Sequence, residues 1–138
     1  VGRDEIRRVA TTVRKMVELD AMDLDIADDL STLEGACKYA SYALSKMLPG
    51  SVYTYGRYLA NGERHGHAWV EVDDVIVDIT ATQFDAEVAV TIVEKASRRY
   101  VKYVEGAAAE AFLDYPDEWL KKWVAMSAMR REAENSVA

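Results

Sequence analysis

From Arg3 to about Leu19 the apolar residues Ile6, Val9, Ala10, Val13, Met16 and Val17 recur three and four apart, which predicts an amphipathic helix. A second helix is expected to run to about Leu48. Ser31 with Glu34 three residues on fits a capping box, Thr32 is the other plausible cap, and Pro49-Gly50 stops the helix. Between the two, Asp20 to Asp29 is acidic and broken by Met22, Leu24 and Ile26. It reads as a solvated connection or a short helical turn. A calcium loop fails there, because no glycine stands at its turn and no acidic residue closes it at the required spacing.

Beyond Gly50 the pattern changes. Ser51 to Leu59 is rich in Val and Tyr and predicts a strand, followed by a turn at Asn61-Gly62. His67 to Val72 and Val75 to Thr80 are short β-branched runs, and Asp73-Asp74 between them suits a two-residue hairpin loop. Glu87 to Val93 and Arg99 to Val104 read as two further strands, with a helix over Ile92 to Tyr103 as the competing reading. Ala107 to Ala111 reads as a small-residue helix or linker. After Pro116 a helix is expected from Asp117 to roughly Glu134, its stripe of Trp119, Leu120, Trp123, Val124, Met126 and Met129 turned to the core. Helix, helix, antiparallel meander and closing helix predict an α+β fold with the helices segregated from the sheet. The alternation of a parallel dinucleotide-binding fold and its glycine-rich loop are both missing.

At 138 residues, 50% apolar and 30% charged, the chain is expected to form one globular domain over 1–138. A net charge of −7 supplies no positive field for phosphate backbones, which argues against a nucleic-acid partner and mildly favours basic ones. No apolar run approaches the roughly 20 residues of a membrane span, so no membrane role is expected. Nothing at the N-terminus reads as a secretory signal, and the expectation is a cytoplasmic protein. One cysteine excludes an intramolecular disulfide and a multi-cysteine zinc site. Two histidines one residue apart, His65 and His67 beside Glu63 and Glu71, are a pattern common by chance, and no metal or other cofactor is expected.

That lone cysteine, Cys37, is followed by His67 and then by Asp78. Thiol, imidazole and carboxylate are the parts of a nucleophilic cysteine enzyme. The hairpin tests whether two of them meet. With a two-residue loop, Val72 pairs with Val75, Trp69 with Asp78 and His67 with Thr80, so His67 and Asp78 share a face as diagonal neighbours. A three-residue loop would put them on opposite faces. Cys37 near a helix N-terminus gains from the positive end of the helix and from a neighbouring imidazolium, both of which stabilise a thiolate. Taken alone, Cys37 also reads as an inert core residue. Asp78, however, stands in the apolar run Val75-Ile76-Val77-Asp78-Ile79, where a carboxylate needs a partner.

The stretch His67-Ala68-Trp69-Val70-Glu71-Val72, with Asp78-Ile79-Thr80 eleven positions after His67 and Cys37 on an upstream helix, resembles the core of the transglutaminase-like superfamily. The short His-Ala-Trp-Val-Glu signature is also similar to that of the leader peptidases of lasso-peptide biosynthesis within it. The resemblance covers about Thr32 to Phe84. It implies a papain-like core, with a Cys-bearing helix packed on an antiparallel sheet that carries the His and the Asp. Three departures stand out. Ile79 replaces the usual proline, no tryptophan follows Cys37, and no glutamine precedes it where papain-type enzymes place an oxyanion donor.

The expected function is that of a cysteine peptidase or amidase acting on a peptide or protein substrate through a thioester. Cys37 is the nucleophile, His67 the general base and then acid, and Asp78 the orienting carboxylate. Trp69 and Tyr39 are expected to line the cleft, and Gln83 is a candidate oxyanion donor by its chemistry. The alternatives are a glutamine transamidase or deamidase on the same fold, and a non-catalytic binding domain that retains it.

Overall fold

The computed structural model describes residues 2–24, 27–29, 31–97 and 102–108. Among them are two helices, α1 (Arg3–Leu24) and α2 (Cys37–Met47), and five strands, β1 (Val52–Ala60), β2 (Glu63–Val72), β3 (Val75–Asp78), β4 (Thr91–Glu94) and β5 (Tyr103–Ala108). The strands form one antiparallel sheet in the order β4-β3-β2-β1-β5. The α+β architecture matches the expectation. The closing helix expected from Asp117 to Glu134 lies outside the described residues, as do Arg99, Tyr100 and Val101.

Period-two alternation builds two cores. Val70, Val72, Val75 and Val77 face the helices and pack with Ile6, Val13 and Val17 of α1 and Ala40 and Leu44 of α2. The other face carries Tyr58, Trp69, Ile76, Val93 and Tyr103. Both faces of the central strands are therefore buried, which pins the register, since a one-residue slip would exchange the two sets.

Several boundaries differ from expectation. α1 continues to Leu24 through the start of the acidic stretch. Asp20 is not solvated there but buried, and it accepts a hydrogen bond from Tyr39 Oη at 3.0 Å. α2 starts at Cys37, not near Ser31, and its N-cap Ala36 makes no side-chain cap. The capping box does not form. Ser31 instead bonds Asp29 Oδ1 through its backbone N–H and its hydroxyl, and Leu33 (φ 61°) and Gly35 (φ 90°) turn the chain out of helical geometry before α2 begins.

β2 starts at Glu63, four residues earlier than expected, because the Asn61-Gly62 turn (φ 54° and 76°) brings Glu63 opposite Ala60 and the ladder continues from there. β4 is confined to Thr91–Glu94, and Val88, expected in it, is 56% exposed. The competing helix over Ile92 to Tyr103 is excluded at its start, where Ile92 pairs with Val77. Ala107 and Ala108, expected in a helix or linker, belong to β5 and pair with Tyr55 and Thr54 of β1.

Candidate active site

The loop at Asp73-Asp74 holds two residues, with Asp73 at φ 52°, and Val72 pairs with Val75 as expected. The β2–β3 ladder then stops at Val70–Val77, so the pairs expected beyond it, Trp69 with Asp78 and His67 with Thr80, do not form. The parity survives all the same. His67 Nε2 and Asp78 Oδ2 lie 2.7 Å apart, both side chains fully buried.

Where β3 leaves the ladder, α2 takes its place. Ser41 Oγ donates to the Ala68 carbonyl at 3.0 Å, and the Ala68 N–H donates to the Cys37 sulfur. Cys37 and Ser41 are four residues apart and so share one face of α2. The strand edge thus gains partners and the thiol is fixed beside His67. As the first residue of α2, Cys37 also stands among backbone N–H groups that lack an intrahelical acceptor. Its side chain is half-buried.

Asp78 is held by four donors, the weakest of them the Thr80 hydroxyl at 3.5 Å from Oδ1. The Thr80 N–H reaches Oδ1 at 2.9 Å, and Tyr103 Oη reaches Oδ2 at 2.9 Å beside the imidazole. Burial alone pushes this carboxyl up, but the His67 charge and these hydrogen bonds leave it below its usual range. Burial likewise pushes His67 down, and the Asp78 carboxylate together with the Cys37 sulfur reverses this and raises it to about 9. Burial raises the Cys37 thiol, but the hydrogen bond and charge of His67, with the Ala68 N–H, bring it below its usual value. The three groups therefore favour a thiolate, an imidazolium and a carboxylate.

With Nε2 turned to Asp78, the Nδ1 side of the ring is left for Cys37, and Gln83 Nε2 lies 3.2 Å from Nδ1. In a neutral imidazole Nδ1 accepts from the Gln83 amide. In the imidazolium it donates to the thiolate and the Gln83 N–H is released. Gln83 ends a 3-10 turn, Ala81–Gln83, that follows directly on Asp78-Ile79-Thr80. Phe84 meets the His67 ring edge-on at 5.0 Å and stacks on Tyr58 at 4.8 Å. These rings keep water off the imidazole and strengthen the charges around it.

Two expected substrate contacts are corrected. Tyr39 and Trp69 are each 1% exposed and offer no surface to a ligand. Tyr39 turns to Asp20, and Trp69 lies against Gly56, Gly106 and the edge of Tyr103. The site also contains residues not foreseen. Tyr103 and Phe84 reach it through strand order and a turn, which leave no local signal, whereas Gln83, expected near the site from its chemistry, does stand at the His67 ring.

A cavity of about 330 Å³ shares the walls Tyr58 and Tyr103 with the site and is closed by Asp85, Thr91 and Lys102, with neither Cys37 nor Gln83 in its lining. Among the described residues no group of three or more His, Cys, Asp or Glu side chains is placed to hold a metal ion, and no helix is long and apolar enough to cross a membrane. Comparison of the chain with protein-family models, curated proteins and solved structures finds no match.

Proposed function

We propose that this chain is a cysteine-dependent hydrolase of the transglutaminase-like superfamily, with a papain-like core, that cleaves an amide in a peptide or protein substrate. The observation that carries the proposal is the hydrogen-bonded order of the half-buried Cys37, at the N-terminus of α2, with the fully buried pair His67 and Asp78. The two-residue hairpin and the Cys-bearing helix against β2 support the superfamily resemblance.

The Cys37 thiolate attacks the carbonyl carbon and forms a C–S bond while the carbonyl π electrons move to oxygen. The Cys37 backbone N–H and the Gln83 amide stabilise that oxyanion. His67 gives its proton to the departing amine as the C–N bond breaks, leaving a thioester. His67 then takes a proton from the acyl acceptor, which attacks the thioester and restores the thiolate. Asp78 keeps Nε2 protonated and the ring oriented throughout.

The test is iodoacetamide alkylation of Cys37 from pH 5 to 9, in the wild type and in His67→Ala. A rate that stays high well below the ordinary thiol pKa of about 8.5, and collapses in the variant, is the expected result. A rate that rises only near that value in both proteins overturns the proposal and leaves a binding domain. Offering a primary amine to the thioester separates hydrolysis from acyl transfer, since a transamidase incorporates the amine and a hydrolase releases the acid.

A further inference from the structure

We infer that Arg14 is a positioning residue, which locks the turn bearing Gln83 and the loop delivering Cys37 into register with the His67–Asp78 pair. Arg14 lies within the apolar stripe of α1 and is 5% exposed. Its Nη1 donates to the carbonyl of Ile79, the residue after Asp78, at 2.7 Å and to Thr82 Oγ1, next to Gln83, at 2.9 Å. The Thr82 hydroxyl in turn donates to the Thr32 carbonyl at 2.9 Å. One chain of guanidinium, hydroxyl and carbonyl thus joins α1, the Asp78–Gln83 segment and the loop that enters α2 at Cys37. Those two segments are fifty residues apart in sequence at Thr32 and Thr82, and between them they carry the nucleophile, the carboxylate and the amide of the site.

As a stabilising device the arrangement is poor. The carboxylate on Arg14 is Glu18 at 2.7 Å, itself 44% exposed, and a buried cation with a half-solvated partner competes badly with an apolar side chain of similar volume. What a guanidinium adds is a rigid planar fork that fixes two acceptors in direction. The loop it reaches needs such fixing, because Leu33 and Gly35 both adopt left-handed backbone just before Cys37.

This rests on the nucleophile reading, and its test separates the two. The alkylation rate of Cys37 is measured against pH in the wild type, Arg14→Met, Thr82→Val and Thr82→Ser, with the melting temperature of each. Thr82→Val keeps the size of the side chain and removes only the hydroxyl link, while Thr82→Ser keeps the link. In Thr82→Val and Arg14→Met the acid limb of the profile is expected to rise by about one pH unit, about tenfold slower alkylation at pH 6. Thr82→Ser is expected to follow the wild type. A Thr82→Val profile that overlies the wild type overturns the inference and leaves the nucleophile reading intact. A wild type without a low-pH plateau overturns both. Should Arg14→Met fail to fold, the Thr82 pair decides alone.

Discussion

His67 and Asp78 meet at 2.7 Å across a hairpin whose ladder has already ended, so their contact rests on strand parity and on the donors that hold Asp78 in place. Their energetics are of opposite sign to those of burial. Desolvation disfavours the charged form of each, and the neighbouring opposite charge together with hydrogen bonds reverses this. Asp78→Asn keeps an oxygen for the Thr80 N–H and removes the charge. The largest raising influence on His67 is then lost, with only Cys37 left to oppose burial, and the His67 pKa is expected to fall from about 9. Titration of the ring by NMR measures this directly; a value that stays near 9 in the variant would mean that Asp78 does not hold the proton on His67.

Cys37 and His67 together set a pH dependence of stability. The raised His67 contributes stability that is present below 6.5 and lost as pH rises through about 9. The lowered Cys37 contributes stability that is present above its ordinary 9.0 and lost as pH falls through its folded value. Between 6.5 and 9.0 the unfolded chain carries a neutral thiol and a neutral imidazole, and the imidazolium of the folded state makes stability fall as pH rises. From the folded Cys37 value upward the folded thiol has lost its proton, which opposes that slope. Wild-type stability is therefore expected to fall less steeply with pH than that of Cys37→Ala in the upper part of the window. Cys37→Ala keeps only the His67 contribution, a decline of up to about 1.4 kcal/mol per unit. Urea midpoints at half-unit pH intervals check it, and parallel curves for the two proteins would contradict the ion pair.

The hairpin was legible because its evidence is local: alternating apolar residues on either side of Asp73-Asp74, and a carboxylate that could not be buried alone. The start of α2 was misread for the same reason. Ser31 and Glu34 have the spacing of a capping box, but Asp29 claims Ser31, and the Asp28 N–H bonds the Glu34 carbonyl at 2.6 Å, folding the loop back on itself. Tyr103 was illegible, since it reaches Asp78 only because β5 adds to the far side of β1. Arg14 has a signature in the sequence: it stands between Ala10 and Val17 at helical spacing, a cation inside an apolar stripe.

Gly35 holds the loop two residues before the nucleophile at φ 90°, a conformation that costs an L side chain about 1–2 kcal/mol. A Cβ there would also stand 2.8 Å from Asp28 Oδ2 and 3.4 Å from the Asp28 backbone nitrogen. Gly50 at φ 76° has nothing within 4 Å of such a Cβ and serves as the control for the backbone cost alone. Gly35→Ala should therefore destabilise by about 1 kcal/mol more than Gly50→Ala. It should also slow alkylation of Cys37, which Gly50→Ala should leave unchanged. Equal urea midpoints for the two variants would show that Asp28 yields freely.

Gly56 lies opposite His67 in the middle of β1, between β2 and β5. A Cβ there would meet Trp69 Cη2 and the Val104 carbonyl oxygen, each at 2.7 Å, and Gly106 Cα at 2.8 Å. Two of the three neighbours are backbone, and the third is a ring held edge-on to Tyr103 with centroids 5.1 Å apart. None is the free end of a flexible side chain, so Gly56→Ala should cost about 3 kcal/mol, at the upper end of overpacking. A Cβ on Gly106 meets side-chain atoms alone, of Trp69 and Thr54, on a strand that pairs with β1 through an irregular register. Gly106→Ala should cost less, because β5 can shift as a unit. Either change pushes the indole toward Tyr103, whose hydroxyl bonds Asp78, so the loss of stability should come with a displaced His67 titration. Thermal melts and the ring titration, run on both variants, separate these effects; a Gly56→Ala protein as stable as the wild type would mean that the indole is not clamped between β1 and β5.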